Sequence, residues 1–416
     1  MPRVIDRVLE ESLQAAGAVL IEGPKWCGKT RTAKEIAKSV LAMQDPDNSD
    51  AYEKLADTKP SLLLKGDCPR LLDEWQVAPV LWDAVRFAVD ERNKTGQFIL
   101  TGSAVPRDNQ TKHTGTGRIA RLLMRPMSLF ESEDSNGTVS LKDVFSGKRE
   151  IESSSTLTIE KIAATIVRGG WPYSIGEKPS ISTKMATNYV DSVINEDISR
   201  VDNVGRNPTR VRLVMRSLAR NISTMANIST IYNDILADDD TLSKNTIASY
   251  IDALRRIFVV EDLPAWSPLL RSKTALRTSP KRHFVDPSIA TAVLRATPDS
   301  ILEDFTSFGF LFESLCIRDL RIYAQMLDGE VFHYRDKSGL EADAIIHLNN
   351  GQWGAFEIKL GSKEIEKAAQ NLIILRDKIN TDRMKEPAFL AILTGTQYAY
   401  KRDDGVLIIP VGCLKP

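Results

Sequence analysis

Two glycines, a lysine and a threonine have the spacing of a phosphate-binding loop. Gly23 is followed by Gly28, Lys29 and Thr30 in the pattern G-x-x-x-x-G-K-T. The glycines let backbone N–H groups wrap a chain of phosphates, the lysine reaches the terminal phosphates, and the threonine hydroxyl binds Mg²⁺. The alternative is a glycine turn that caps an ordinary helix.

The segments on either side of this loop have the patterns that such a site needs. Residues 18–21 are apolar and predict a strand, and the apolar residues from Ala33 to Leu41 fall on one face of a helix. The positive end of that helix would point at the phosphates. We expect ATP to contact the whole loop: Gly23, Pro24, Lys25, Trp26, Cys27, Gly28, Lys29, Thr30 and Arg31.

Two acids end the next predicted strand. Leu71 and Leu72 are followed by Asp73 and Glu74. In P-loop NTPases the carboxylate at this strand end holds Mg²⁺, so we assign Asp73 to the metal, together with Thr30. A second carboxylate beside it can activate the attacking water, which makes Glu74 the candidate general base. The alternative is a surface pair of acids at a strand end.

Further polar residues follow a third predicted strand, residues 97–103. Thr101 and Ser103 could touch the γ-phosphate or its water, although a plain strand-to-loop turn has the same pattern. Arg118, ahead of Arg121, could stabilise charge on the γ-phosphate in its own chain or in a neighbour's. The alternative is a salt-bridging arginine. Strands that alternate with helices predict a parallel sheet.

Residues 42–60 are polar and predict a loop, and residues 131–155 predict a linker.

The middle of the chain is helical and locally basic. Residues 222–266 suit a helix-turn-helix or winged helix. Arginines recur every four residues on one helical stripe: Arg212, Arg216 and Arg220.

From residue 206 to residue 282 there are 13 Lys and Arg against 7 Asp and Glu. A basic helical segment in a neutral protein indicates a DNA-binding surface. Helix-turn-helix modules also serve as lids or protein contacts, in which case the arginines are solvated.

The last part of the chain contains a second group of acids and a lysine. A helix over 307–325 precedes strands at 331–335, 340–347 and 353–360, and Asn349-Asn350-Gly351 predicts a hairpin. Alternation places Glu357 and Lys359 on one strand face, and the hairpin brings Asp343 beside them.

Carboxylates of this kind can hold Mg²⁺, and a lysine can steady a nucleophile or a phosphate. Asp343, Glu357 and Lys359 are therefore candidate catalytic residues, and Asp343 and Glu357 are candidate metal ligands. Glu313 could add a ligand and Gln370 a polar contact. The alternative is an edge strand with solvated charges.

Composition sets the outer limits. The 416 residues are 42% hydrophobic and carry no net charge, which suits a globular chain of about two to four domains. Four scattered cysteines favour a reducing compartment and argue against a zinc site. Neither a signal peptide nor an apolar run of ~20 residues is visible, so we expect a cytoplasmic protein without membrane contact.

Together these motifs resemble the widespread prokaryotic AAA-type ATPases that join a P-loop domain to a C-terminal restriction-endonuclease-like domain. The resemblance covers nearly the whole chain. It rests on residues 23–30, 71–75, 98–103, 117–118 and 168–172, on the winged-helix-like middle, and on the tail with Glu313, Asp343, Glu357 and Lys359. It implies an α/β fold with a P-loop parallel sheet, a winged-helix-like middle and a nuclease-like α/β tail. The expected domains are residues 1–135, 156–300 and 301–416.

The resemblance also implies roles for individual residues. Lys29, Thr30, Asp73 and Glu74 would carry nucleotide and metal chemistry. In the tail, Asp343, Glu357 and Lys359 match the nuclease-type motif, with Glu313 and Gln370 as accessory positions. One departure is that no proline stands beside Asp343.

We therefore expect a Mg²⁺-dependent ATPase whose turnover is coupled to DNA binding or remodelling, and whether the tail also cleaves DNA is left open. The competing hypothesis is an ATP-driven switch whose inactive tail binds DNA or a protein. An arginine finger from a neighbouring chain would require a homo-oligomer.

Overall fold

The computed structural model describes residues 2–102, 115–201, 204–268, 279–379 and 384–416. The chain divides into two compact units. The first contains residues 1–126, 196–205 and 253–258, and the second contains residues 127–195, 206–252 and 259–416. The predicted division into three domains stays a prediction.

The first unit contains a five-stranded sheet in which all neighbours are parallel, as the sequence predicts. Its strands are β1 (Ala18–Glu22), β2 (Ser39–Ala42), β3 (Arg70–Asp73), β4 (Phe98–Gly102) and β5 (Ile119–Leu123). Their order across the sheet is β2-β3-β4-β1-β5. The helices are α1 (Ile5–Ala15), α2 (Lys29–Ile36), α3 (Ser49–Thr58) and α4 (Val80–Arg92).

The central strands of this sheet are buried on both faces, which explains why they are near-continuous apolar runs. Val19 and Leu20 are buried among different clusters of core residues, one on each face of β1. The C-terminal ends of β1, β3 and β4 share one edge because neighbouring strands are parallel and in register. Residues that follow these ends are therefore brought together.

Two local predictions in this unit are wrong. The predicted helix through Leu41 ends at Ile36, and Val40 and Leu41 instead pair with β3 as part of β2. The predicted loop at 42–60 contains helix α3, which presents Ala56 and the partly buried Tyr52 to the core. Tertiary contacts decide both segments, since a short strand and a polar helix have weak signals of their own.

The second unit begins with short elements and a helical region. Its helices are α5 (Leu141–Phe145), α6 (Ile159–Arg168), α7 (Pro179–Ser192), α9 (Pro208–Arg220), α10 (Ile228–Ile235), α12 (Pro287–Leu294), α13 (Pro298–Glu303), α14 (Phe305–Met326) and α15 (Ile365–Lys378). A π-helical segment, Val193–Asp197, leads from α7 into the short α8 (Ile198–Arg200). Helix α11 (Lys244–Arg256) ends within the residues assigned to the first unit.

Three helices follow one another in the helical region, and the predicted helix-turn-helix or winged helix stays a prediction. Helices α9 and α10 are followed by α11, and the chain then forms antiparallel bridges between Val260 and Phe284 and between Leu263 and Lys281. Asn207 and Asn227 cap α9 and α10 by accepting hydrogen bonds from backbone N–H groups. The predicted bend after Arg168 is present, and Gly169 adopts a φ of 73° there.

A seven-stranded mixed sheet forms the rest of the second unit. Its strands are β7 (Ser153–Ser154), β8 (Gly329–Arg335), β9 (Glu341–Leu348), β10 (Trp353–Lys359), β11 (Phe389–Thr394), β12 (Tyr398–Lys401) and β13 (Leu407–Pro410). Their order is β7-β12-β13-β11-β10-β9-β8. The predicted hairpin is confirmed by the antiparallel pairing of β9 with β10.

The predicted linker at 131–155 is wrong. It contains β6 (Val139–Ser140), which pairs with β14 (Leu414–Lys415), and β7, which pairs with β12. Val139, Leu141 and Val144 are buried. The many polar residues of this segment hide a few apolar anchors that bind it to the end of the chain.

Among the described residues, every helix is too short or too polar to cross a lipid bilayer.

Candidate functional site

The phosphate loop has a backbone that requires its glycines. Gly23 and Gly28 adopt φ values of 149° and 104°, which side chains disfavour. A Cβ atom on Gly23 would lie 2.1 Å from the backbone oxygen of Met124. Helix α2 begins at Lys29, so its N-terminus faces the loop as the sequence predicts.

Lys29 folds back onto this loop. Its Nζ donates to the backbone oxygens of Gly23, at 2.9 Å, and Pro24, at 2.8 Å. The side chain is buried. The ammonium is thus held by neutral carbonyl groups within the loop that is to receive phosphates.

Thr30 and Thr101 both donate to one carboxylate oxygen. The Thr30 hydroxyl lies 2.7 Å from Oδ1 of Asp73, and the Thr101 hydroxyl lies 2.6 Å from the same atom. These residues come from α2, β4 and the end of β3. The parallel sheet therefore assembles the predicted Thr30–Asp73 pair, and it places Thr101 against Asp73.

Glu74 follows Asp73 in a left-handed backbone conformation, with a φ of 55°. Its N–H donates to Thr101 Oγ1 at 3.3 Å, and its carboxylate accepts a hydrogen bond from the side chain of Gln76. Burial raises the pKa of Glu74, while Lys29 and the Gln76 hydrogen bond oppose that effect. A partly buried carboxylate with a raised pKa suits proton transfer near neutral pH.

The donor set at this edge fits Mg²⁺. The ion prefers oxygen ligands and is usually held by one or two protein carboxylates together with phosphates and water. The Thr30 hydroxyl and the Asp73 carboxylate are such donors, 2.7 Å apart beside the loop.

The other loop residues have different surroundings. Cys27 is buried, and its backbone oxygen accepts from the guanidinium of Arg3. Trp26 is exposed, Arg31 pairs with Glu35 on its own helix, and Lys25 pairs with Asp197. The sequence analysis missed Asp197, since nothing in the local sequence links it to the loop.

Arg118 is not brought to the phosphate loop of its own chain. Its Nε pairs with Asp90 at 2.8 Å, and its backbone oxygen accepts from Ala18 at the start of β1. The loop follows the C-terminal end of β1, whereas Arg118 lies beside the N-terminal ends of β1 and β5. Arg121 pairs with Glu22 at 3.2 Å. Action of Arg118 in a neighbouring chain stays a prediction, and Ser103 lies outside the described residues.

A second polar cluster lies in the tail, where three carboxylates surround two lysines. Lys281 Nζ is 2.7 Å from Glu313 and 3.0 Å from Asp343. Lys359 Nζ is 3.1 Å from Asp343 and 2.6 Å from Glu357. The predicted juxtaposition of Asp343, Glu357 and Lys359 is confirmed by these distances, and Glu313 reaches the same cluster from α14.

Burial and ion pairing act in opposite directions on these acids. Burial favours a raised pKa for Asp343, but Lys281 and Lys359 together hold its pKa well below the usual range. For Glu357, burial and the neighbouring Asp343 raise the pKa. Burial also raises the pKa of Glu313 to about 7, against the attraction of Lys281.

Lys281 is the member of this cluster that the sequence analysis missed. It lies 32 residues before Glu313 and 62 before Asp343, outside any motif. Its ammonium stands between two of the predicted metal ligands, so the carboxylates as arranged do not fit a metal ion. Within the described ranges, the structure contains no group of three His, Cys, Asp or Glu side chains placed to hold one.

An open cleft of about 1150 Å³ leads to this cluster. Phe305 and Phe310 are exposed on its wall, and Arg335 and Lys363 line it together with Glu341 and Glu364. The exposed Gln370 lies on α15. The cleft combines apolar surface with charges of both signs.

Comparison with known families supports the assignment of the N-terminal region. Residues 15–133 match the family of AAA domains. Residues 159–300 and 308–414 match two domains of unknown function, DUF8612 and DUF4143. The chain is thus a mixed α/β protein with an AAA-type P-loop domain near its N-terminus, which implies nucleotide binding.

Two distant relatives align with most of this chain. An uncharacterized protein of Mycobacterium tuberculosis is 23% identical over 97% of this chain and 82% of its own length. One from Haemophilus influenzae is 21% identical over 71% of this chain and 64% of its own length. The Walker-type ATPase of Pyrococcus abyssi aligns with a TM-score of 0.42 and 13% identity, over 70% of this chain and 94% of that one.

Proposed function

We propose that this protein hydrolyses ATP with Mg²⁺ and that turnover is coupled to DNA. The proposed hydrolysis rests on one observation. The hydroxyls of Thr30 and Thr101 both donate to Oδ1 of Asp73, and Glu74 is the next residue along the chain. Oxygen donors for a metal ion thus stand beside a partly buried carboxylate that can accept a proton. A phosphate loop faces both.

The residues divide the work between binding and proton transfer. Thr30 and Asp73 would hold Mg²⁺, which when bound neutralises charge on the phosphates. Lys29 would exchange its two carbonyl acceptors for phosphate oxygens, and the loop N–H groups would bind the remaining oxygens.

Glu74 orients the attacking water and takes its proton as the water oxygen bonds to the γ-phosphorus and the bond to the leaving ADP oxygen breaks. The hydrogen bond from Gln76 fixes the Glu74 carboxylate. General bases of this kind contribute roughly 10²–10⁴-fold to the rate.

The test is steady-state phosphate release with Mg²⁺ and with chelator. We expect Glu74→Gln to lower turnover by ~10²-fold or more while ATP still binds, because the amide cannot accept the proton. The matched control is Glu11→Gln, since Glu11 forms an exposed pair with Arg7 on α1. Unchanged turnover in Glu74→Gln would remove Glu74 from the reaction.

The exposed arginines of α9 support the coupling to DNA. Arg212, Arg216 and Arg220 are all exposed on this helix, on the predicted stripe. Within the stripe, Arg212 pairs with the half-exposed Asp191 at 2.8 Å. Two other basic residues of the region pair with less exposed acids, Arg210 with Asp239 and the buried Lys281 with Glu313. The candidate DNA surface is therefore the stripe.

We would measure ATP turnover with single-stranded, double-stranded and branched DNA, and DNA affinity against salt. Replacing the three stripe arginines by glutamine should weaken binding and lower the salt slope by roughly one for each lost phosphate contact. Arg7→Gln removes an exposed arginine from another helix and serves as control. Turnover indifferent to every DNA would favour a protein partner instead.

A second candidate function applies to the tail, which we propose binds a partner without cleaving DNA. The observation in its favour is the ammonium of Lys281 between Glu313 and Asp343. A nicking assay with Mg²⁺ separates the two possibilities. Nicking by the wild type that disappears in Asp343→Ala with Glu357→Ala would establish a nuclease.

A further inference from the structure

The phosphate loop carries a second lysine that its usual chemistry does not require. Lys25 Nζ lies 2.6 Å from Oδ1 of Asp197. The Lys25 side chain is 45% exposed, whereas that of Asp197 is only 8% exposed. A nearly buried carboxylate thus pairs with the ammonium of a half-exposed lysine of the phosphate loop.

Asp197 reaches this position from far along the sequence. It ends the π-helical segment Val193–Asp197, and residues 196–205 are part of the same compact unit as the phosphate loop. π-Helical turns are rare and occur frequently at functional sites. The chain therefore returns to the first unit and places a carboxylate beside the loop.

Lys25 directly follows Pro24, whose backbone oxygen accepts a hydrogen bond from Lys29 Nζ at 2.8 Å. Burial is the main influence on Glu74 and raises its pKa, but the charge of Lys25 is among those that lower it, after Lys29 and Gln76. In the function proposed above, Glu74 acts on water beside the γ-phosphate. Lys25 is accordingly close to where that phosphate would lie.

We propose that Lys25 is a second phosphate-binding cation, selective for the γ-phosphate, and that Asp197 is its positioning residue. This inference rests on the proposed function, because it takes ATP as the ligand. A lysine ammonium has three donors, so Lys25 can bind Asp197 and a phosphate oxygen together. Asp197 limits the freedom of a long side chain that would otherwise be ordered only when ATP binds.

The arrangement makes the contact with Asp197 depend on the nucleotide. With ADP, Asp197 is the anionic partner of Lys25. With ATP, the γ-phosphate shares the ammonium, and the π-helical segment becomes linked to the nucleotide through one side chain. Lys25 thus supplies, from the same chain as the loop, a cation at the γ-phosphate, the role for which Arg118 was the candidate from sequence.

The experiment compares the affinities of fluorescent ATP and ADP in a Glu74→Gln background, where turnover does not interfere. Lys25→Met should weaken ATP binding by roughly ten- to a hundredfold, as expected for the loss of a charged hydrogen bond, and leave ADP binding unchanged. Lys25→Arg should restore part of the ATP affinity. Arg7→Met removes an exposed, paired cation elsewhere in the unit and should change neither.

Asp197→Asn tests the positioning role. It should weaken ATP binding less than Lys25→Met does, and it should have no further effect once Lys25 is methionine, because Asp197 acts through Lys25. Equal losses of ATP and ADP affinity in Lys25→Met, or an Asp197→Asn effect that persists in the double variant, would overturn the inference.

The affinity measurement keeps this inference apart from the proposed function. If Lys25→Met selectively loses ATP affinity but the wild type never hydrolyses ATP, the inference is supported and the proposed hydrolysis is contradicted. A wild type that hydrolyses ATP, with Lys25→Met binding both nucleotides normally, would do the reverse.

Discussion

Two buried lysines, one in each compact unit, donate hydrogen bonds to different kinds of acceptor. Lys29 is 5% exposed and donates to two backbone carbonyl oxygens of the phosphate loop. Lys281 is 6% exposed and donates to the carboxylates of Glu313 and Asp343. The first ammonium is held by neutral groups, and the second is neutralised within the chain.

The difference separates a site that needs a ligand from one that is complete without it. A buried charge is costly unless it is paired, so Lys29 gains most when phosphates arrive. Lys281 already has anionic partners, and an incoming cation would have to displace it. We therefore regard the loop as a binding site and the tail cluster as a structural ion-pair network.

Removing Lys281 should have the largest effect on stability. Lys281→Met leaves Glu313 and part of Asp343 buried without their cation, and breaking a buried pair in this way costs about 3–5 kcal/mol in the free energy of unfolding. Denaturant unfolding followed by circular dichroism measures it. Lys378→Met is the control, since the exposed Lys378 pairs with Asp336 and should change stability by less than about 1 kcal/mol.

A double variant sharpens this result. Lys281→Met with Glu313→Leu removes both partners and should recover a large part of the loss, because buried pairs replaced by apolar side chains are often tolerated. Equal, small losses for Lys281→Met and Lys378→Met would mean that the Lys281 cluster is solvated, and the contrast with Lys29 would fail.

Removing Lys29 should leave stability and take away ligand affinity. Lys29→Met deletes two hydrogen bonds but also a buried charge held by neutral groups, so we expect unfolding to change by less than about 1 kcal/mol without nucleotide. ATP affinity should fall by roughly ten- to a hundredfold. Lys34→Met, at an exposed position of the same helix, is the control for both measurements.

The two sites also differ in how much of them could be predicted from sequence. The loop residues are contiguous, and the acids at the end of β3 reach them because parallel strands end at one edge. Asp343 and Glu357 were placed together by a hairpin with a clear turn signal. Each of these juxtapositions depends on short sequence separations or on a regular sheet.

Lys281 and Asp197 could not be predicted because tertiary packing alone brings them to their partners. Lys281 is 62 residues from Asp343, and Asp197 is 172 residues from Lys25. Neither stands at a distinctive spacing. The errors at β2 and at 131–155 have the same origin, since Val40 and Val139 are fixed by pairing with distant strands.

The smallest expected effect concerns Arg118, whose exposed pair with Asp90 contributes less than about 1 kcal/mol to stability. Because Arg118 lies at the sheet edge opposite the loop, a role in hydrolysis requires a neighbouring chain. We expect wild-type turnover per chain to rise with protein concentration and Arg118→Ala turnover to stay at the dilute value. Arg86→Ala, which loses another exposed pair with Asp90, is the control. Loss of turnover in Arg118→Ala at every concentration would place this arginine at the site of its own chain. That result would contradict the inference that Lys25 is the second cation that binds the γ-phosphate within one chain.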